Sequence, residues 1–311
     1  MGPSTLAERF QSHRRHLIAV GYRVTGSIVD AEDAVQESWL RLSAADAESI
    51  DDLRGWLTTV VGRICLDRLK SAAVRRESYV GQWLPEPVVS PWGTAPLDPL
   101  DVLAADEDTR LAALVVLDTL TPSQRVAFVL HDGFAVPFDV VAEILDVAPA
   151  TARQLASRAR KQFGTTPEPV ADPEHEAAVT ALMTAMASGD LARVVAALHP
   201  DCRIVGDSGG TTSTALRVVT GPQKSARFLL GLLRKFGPEL AASMRPVAVN
   251  GQLGLYSTGV AGNRSSPPRV NGFTVRDGLV WASYDFANPA KLRGVTSLQE
   301  IPTEPDMRPP S

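Results

Sequence analysis

Residues 138–161 read FDVVAEILDVAPATARQLASRARK, and this stretch decides how the rest of the chain is read. It divides into a helix, a tight turn and a second helix. On a 3.6-residue wheel Ala152, Leu155, Ala156 and Ala159 share one side of the second helix. Arg153, Gln154, Ser157 and Lys161 share the other, flanked by Arg158 and Arg160. Small alanines let such a helix lie close to its partner. No acidic residue falls between Ala148 and Phe163, so the polar face attracts phosphate. Its guanidinium, amide, hydroxyl and ammonium groups suit a major groove. The bland alternative is a solvated amphipathic helix on a bundle. All four polar-face residues suit DNA, which favours a helix-turn-helix.

Charge along the chain is segregated. The 311 residues suggest more than one domain, and the net charge of −4 argues against a general nucleic-acid coat protein. Asp30 to Asp52 holds eight acids against Arg41 alone. Leu53 to Arg76 holds Arg54, Arg63, Arg68, Lys70, Arg75 and Arg76 against Asp67. Such blocks predict an acidic protein-facing surface beside a basic DNA-facing one. Cys65 and Cys202 fall in different expected domains without metal-ligand neighbours, and read as reduced core residues. No signal peptide and no long apolar run is seen, so a cytoplasmic protein is expected.

Residues 4–76 read as helical throughout. Leu53, Trp56, Leu57, Val60, Val61 and Ile64 form a helical core face. Residues 77–105 read as an acidic, proline-rich linker carrying Trp83 and Trp92, which a merely solvated linker seldom holds. Helices are expected to resume near Asp106. Thr121-Pro122-Ser123-Gln124 is a capping box with proline at the first helical position, and Gly133 ends that helix. Residues 164–173 form a second linker. Helices are predicted at 175–187, 190–198 and 223–236. Strands are predicted at 202–206, 215–220, 246–249, 253–259, 269–276 and 279–285, with hairpin turns at Asn250-Gly251 and Asp277-Gly278. Helices followed by an antiparallel sheet imply an α+β cone. The tail after Leu298 reads as disordered.

The order of these modules resembles that of the extracytoplasmic-function (ECF) sigma factors of bacterial RNA polymerase. RVTGSIVDAEDAVQESWLRL (23–42) and DLRGWLTTVVGRICLDRLKSA (52–72) are similar to the family's polymerase-binding and promoter-opening helices. Residues 120–161 are similar to the module that reads the upstream promoter element. GDLARVVAALHPD (189–201), NGQLG (250–254) and NPAKL (288–292) resemble the SnoaL-like domain of one sigma subgroup, and WLPEP (83–87) resembles that subgroup's linker. The resemblance implies a multidomain chain: two all-α sigma modules, the second with the helix-turn-helix, then an α+β, cone-shaped SnoaL/NTF2-like domain. Its segments are region 2 at 1–76, the linker at 77–105, region 4 at 106–163, the SnoaL-like domain at 174–298 and a tail at 299–311.

The resemblance also implies roles. Asp30, Glu32, Asp33, Gln36, Glu37 and Trp39 contact core polymerase at its β′ clamp; region 4 meets the β flap. Acids at a helix start also suit the helix dipole, but Gln36 and Glu37 lie beyond the first turn. Trp56, Thr59, Arg63 and Lys70 share a stripe and face the −10 element, with Trp56 also bordering the apolar face. Arg153, Gln154, Ser157, Arg158 and Lys161 face the −35 element.

For the C-terminal domain the resemblance offers Asp207, His199 and Asp285 as acid–base candidates, with His199 expected at a helix end. They make no catalytic constellation. Trp83, Leu84, Pro85, Asp207, Gly209, Gly210, Asn288, Pro289 and Lys291 are expected to form an interdomain regulatory contact. The subgroup's DGGGK-like run reads DSGGT here, without its lysine. Promoter DNA and core polymerase are the expected partners, together with a small-molecule ligand of the C-terminal pocket; no metal, cofactor or membrane is expected. The competing readings are a SnoaL-like cyclase or hydrolase fused to DNA-binding helices, and a ligand-sensing repressor, for which the acidic helix would have no use.

Overall fold

The computed structural model describes residues 5–76, 79–94, 110–164, 168, 170–260, 265–292 and 295. Helix α1 (Leu6–Thr25) opens with a capping box between Thr5 and Glu8 and stops at Gly26, whose φ of 70° is left-handed. Helix α2 (Ile28–Ala44) starts at once, with the Ser27 hydroxyl accepting from Asp30 N. Helix α3 (Leu53–Arg76) completes the first module. The α1–α2 crossing needs a glycine: a Cβ on Gly21 would lie 2.9 Å from Ala31 Cα.

The second module begins with α4 (Leu111–Leu117) and α5 (Pro122–Phe128), the latter capped by Thr121 and Gln124. A π-helical turn, Val129–Gly133, extends α5. Helices α6 (Phe138–Leu145) and α7 (Pro149–Phe163) are joined by Asp146 in the left-handed region at φ 55°, and Pro149 opens α7 without losing a hydrogen bond. Both modules share one hydrophobic core. Leu17, Leu42, Leu57 and Val61 join Leu114, Leu130, Ile144 and Ala152 in it, and α3 packs directly on α5 and α6.

Helices α8 (Asp172–Ser188) and α9 (Leu191–Ala196) lead into the C-terminal sheet. Its strands are β2 (Leu198–Asp207), β3 (Val219–Thr220), β4 (Met244–Val249), β5 (Gln252–Ser257), β6 (Arg269–Arg276) and β7 (Leu279–Phe286). Helices α10 (Pro222–Phe236) and α11 (Pro238–Ser243) fall between β3 and β4. A seventh strand, β1 (Val89–Pro91), comes from the linker and pairs antiparallel with β4. The order is β1-β4-β5-β6-β7-β2-β3, with only β2 and β7 parallel. Asn250 and Asp277 adopt φ of 50° and 52° ahead of Gly251 and Gly278, as type I′ hairpins require.

The sheet has two cores. On one, Phe273, Val275, Val280 and Cys202 pack under α8, α9 and α10. On the other, Val205, Val270, Tyr284 and Phe286 pack against Leu84 of the linker and Leu111 of α4. The C-terminal domain thus completes its core with side chains from outside it.

Several expectations change. Part of the expected linker is a strand. Residues 215–218 are not strand, because the preceding loop turns inward: Thr214 Oγ1 donates to the Asp285 carboxylate at 2.6 Å and Arg269 donates to Ser213 O at 3.3 Å. Strand β2 begins at Leu198, so His199 lies in a strand and not at a helix end; its Nδ1 accepts from Asp201 N at 3.0 Å. Residues 95–109 and 296–311, with the expected helix resumption near Asp106 and the tail, lie outside the described residues.

Leu84 is 1% exposed, so Leu84→Ala should cost about 2–5 kcal/mol of linker docking. Limited proteolysis should then cut within residues 79–94 much faster than in the parent protein. An unchanged cleavage rate would contradict the assignment of Leu84 to the C-terminal core.

Candidate polymerase and promoter interfaces

The polar face of α7 stands clear of the protein. Ala152, Ala156 and Ala159 are each 0% exposed, whereas Arg153, Gln154, Ser157, Arg158 and Lys161 are all exposed. Arg160 is tied back instead, with Nε 2.6 Å from the Asp132 carboxylate. The Arg153 guanidinium lies 5.6 Å from the Phe138 ring centroid, near the α7 N-terminus.

On α3 the four expected residues divide. Arg63 and Lys70 are exposed, Trp56 is half-buried against the core, and Thr59 donates its hydroxyl to Gly55 O at 3.0 Å. Trp56, Thr59 and Arg63 line a groove of about 1140 Å³ whose far wall is Phe134–Pro137, Val140 and Glu143 of the second module. Lys70 is not among its lining residues.

The acids of α2 are partly neutralised. Arg68 of α3 lies 2.9 Å from Asp30 and 3.3 Å from Asp33, and Arg41 lies 2.5 Å from Glu37. Glu32 and Gln36 are exposed, and Leu40 is 63% exposed. Trp39 is half-buried against Phe10 at 5.1 Å between centroids.

The expected interdomain residues come together around one carboxylate. Asp207 is 0% exposed and accepts from the Tyr79 hydroxyl, from Leu84 N at 2.9 Å, from Gly209 N at 3.2 Å and from Lys291 Nζ at 2.6 Å. Lys291 also donates to Leu84 O and sits 3.8 Å from the Trp83 ring centroid. Asn288 Nδ2 donates to the Tyr79 hydroxyl at 2.8 Å. Gly209, at φ 59°, has no room for a side chain, since a Cβ would lie 2.7 Å from Asn288 Nδ2. Gly210 lies against Val80, Pro85 lies against Gly26, and Pro289 opens the 3₁₀ turn that carries Lys291.

Four further residues were not expected at any interface. Glu86 reaches 58 residues back to the N-terminus of α2, accepting from Ile28 N at 2.8 Å and Ser27 Oγ at 3.2 Å. Its burial pushes the carboxyl pKa up, against the opposing pull of the Ile28 N–H. Tyr22 of α1 donates to Glu86 O at 2.7 Å and accepts from Asn250 Nδ2 at 2.9 Å. Asn250 in turn holds Val88 N at 3.2 Å. His16 of α1 sits where the helical modules meet, edge-on to the Phe134 ring at 5.2 Å. WLPEP contains Glu86, but nothing local in a sequence says that a carboxylate caps a distant helix.

Residues 9–75 match the Sigma-70 region 2 model and residues 110–163 match Sigma-70, region 4. The chain is 52% identical over 305 residues to the ECF RNA polymerase sigma factor SigJ of Mycobacterium tuberculosis, covering 96% of each chain. It is 36% identical over 198 residues to the probable ECF sigma factor SigI of the same species, covering 61% of this chain and 66% of that protein. The crystal structure of SigJ superposes with a TM-score of 0.80 at 51% identity, covering 93% of this chain and 98% of that chain.

The chain belongs to the ECF RNA polymerase sigma factors. As a sigma factor it works in transcription initiation, with core RNA polymerase and promoter DNA as partners. Its C-terminal domain has the SnoaL/NTF2-like arrangement of helices against a mixed sheet. Among the described residues no helix is long and apolar enough to cross a membrane.

The His16 site in this sigma factor is sensitive to protons. The Thr58 hydroxyl gives its proton to Arg54 O at 2.7 Å, so it accepts from His16 Nε2 at 2.9 Å. His16 Nδ1 is then left to accept from the Arg54 guanidinium at 3.1 Å. An imidazolium could not accept that bond. Burial, then Arg54, His13 and Arg23, bring the His16 pKa down from 6.5 to about 4. A depressed pKa means stability that is fully present above pH 6.5 and is lost as pH falls towards 4. Denaturant midpoints between pH 7.5 and 4.5 should therefore fall more steeply for the parent than for His16→Gln. Parallel pH curves would exclude His16 as the titrating group.

Proposed function

We propose that this ECF sigma factor binds the β′ clamp of core polymerase through the outer face of α2. It reads the −35 element with α7, near the β flap, and contacts the opened −10 element along α3. The observation that carries the −35 reading is the division of α7 into a fully buried alanine face and an exposed Arg, Gln, Ser and Lys face. Glu32, Asp33, Gln36 and Glu37 offer the clamp a polar face next to Trp39 and exposed Leu40. Arg63 and Lys70 supply phosphate contacts on α3, and Thr59 and the Trp56 edge border the groove where an unpaired base can stack.

The C-terminal domain acts here as a regulator and not as an enzyme. Asp285 is satisfied by Arg269 at 2.9 Å, Asn271 at 3.3 Å and Thr214 at 2.6 Å, which leaves it no free role as a base. Asp207 is occupied by the linker. The domain sets the separation of the two DNA-binding modules through Trp83, Leu84, Pro85, Asp207, Gly209, Gly210, Asn288, Pro289 and Lys291. A small-molecule ligand of this domain would act by shifting that junction. The protein works in the cytoplasm, where core polymerase and promoters are.

Reversing Asp33 and Glu37 to Lys should weaken association with core polymerase while the fold survives, since neither residue is buried. Unchanged co-purification with core would remove α2 from the interface. Arg153→Ala should cost roughly 1–3 kcal/mol at one promoter position and relax specificity there. Lys161→Ala should weaken binding evenly and reduce the salt dependence by about one counterion. A randomised-promoter selection separates the two; identical promoter choice by Arg153→Ala would sink the docking. Lys291→Met strands the buried Asp207 carboxylate, a change of about 3–5 kcal/mol at the junction. Run-off transcription at equal occupancy of core should then change several-fold. Unaltered run-off would reduce the domain to a passenger.

A further inference from the structure

Helix α10 of the C-terminal domain carries a strip of charge that none of these roles uses. Residues 174–298 hold thirteen Lys and Arg against eight Asp and Glu, although the whole chain is net −4. Much of that positive charge is engaged. Arg269 pairs with Asp285 at 2.9 Å, Lys291 with Asp207 at 2.6 Å and Arg276 with Asp277 at 3.6 Å, and Arg203 stacks 3.7 Å from the Trp281 ring. The four cations of α10 differ. Lys224, Arg227, Arg234 and Lys235 are all exposed, and among the described residues none has an acidic partner. Lys235 touches only a ring, with its ammonium 5.0 Å from the Phe236 centroid.

These four residues lie on one face. At 100° per residue they fall within about a third of a turn, opposite Ala226 and Phe236, which are 0% and 3% exposed in the domain. The buried side fixes the helix, so the cations are held on a rigid platform. No acid occurs between Pro222 and Gly237. Gly231 sits mid-strip, and a Cβ there would meet nothing within 4 Å. The middle of the strip is therefore flat and open to close approach. The N-terminus of α10 adds to the same sign: Gly221 provides no side-chain cap, and the nearby Arg217 is exposed.

We propose that the outer face of α10 is a further DNA contact of this sigma factor, made to the phosphate backbone of promoter DNA without reading bases. A membrane fits poorly, because the apolar side of α10 is the side buried in the domain. A protein partner needs an apolar or aromatic centre, and here the centre is Gly231. A duplex presents about one charge per 1.7 Å of axis. The twelve residues of helix from Lys224 to Lys235 span about 16 Å, so several phosphates come within reach of four long side chains. The C-terminal domain is bound to the sigma modules through β1, Leu84 and Lys291, so α10, on the sheet face away from that contact, is carried into the same promoter complex with its cations turned outward.

The test uses the full chain in holoenzyme with core polymerase. In the variant Lys224→Gln, Arg227→Gln, Arg234→Gln, Lys235→Gln, the slope of log affinity for promoter DNA against log salt should flatten by about two to four. Promoter choice in a randomised-promoter selection should not change. That separates this contact from the −35 reading, whose failure shows in Arg153→Ala. An unchanged salt slope overturns the proposal. So that the result does not depend on the quadruple variant folding, a benzophenone amino acid is placed at position 231 alone. Crosslinking to labelled promoter DNA is expected. Crosslinking to a polymerase subunit instead, or no DNA adduct in a complex that still transcribes, overturns the DNA assignment.

Discussion

The docking of the linker on the C-terminal domain turns on the buried carboxylate of Asp207. It draws together Tyr79 and Leu84 from the linker and Lys291 from the far end of the sheet domain. A carboxylate with no exposure is costly unless every lone pair is used, and here the linker backbone supplies part of the compensation. Displacing the linker would leave Asp207 and Lys291 short of partners. Such a pair adds little net stability compared with apolar packing. The stabilising part of the contact is the burial of Leu84, worth about 1.5–3 kcal/mol. Asp207 supplies direction instead, fixing which linker residue sits where.

That direction passes on to the polymerase-facing helix. The linker segment that meets Asp207 also places Glu86 at the N-terminus of α2, where its carboxylate meets unpaired N–H groups and the positive end of the helix dipole. Tyr22 and Asn250 join the same backbone from α1 and from the β4–β5 hairpin. One short stretch of chain therefore reports the position of the sheet domain to the start of α2. This is a physical route by which a fused domain can bias a sigma module without touching its outer face.

The helical modules carry their own coupling. Arg68 belongs to the basic helix α3, yet it spans Asp30 and Asp33 of the acidic helix α2. The acidic and basic surfaces are thus joined at one edge, and Glu32, exposed and paired only at 3.9 Å with Arg14, presents more of its charge outward than Asp30. The groove lined by Trp56, Thr59 and Arg63 has the second module as its other wall. Its width depends on how α3 packs on α5 and α6, so the arrangement of modules and the access to α3 are one variable.

The sequence by itself determined the local features. Capping at Thr121-Pro122-Ser123-Gln124, the Asn-Gly and Asp-Gly hairpins and the alanine face of α7 all follow from interactions within a few residues, and each stands as read. The family resemblance named the residues around Asp207 but gave no reason for their meeting. Only the tertiary structure decided that Val89–Pro91 of the linker is a strand of the C-terminal sheet, that residues 215–218 are not strand, and that His199 lies in β2. It alone also paired Glu86 with Ile28 and Asn250 with Tyr22. The reason is physical. Periodicity and capping record what neighbouring residues do to one another, whereas an extended segment shows no preference for a partner until a sheet edge and a buried charge are brought to it.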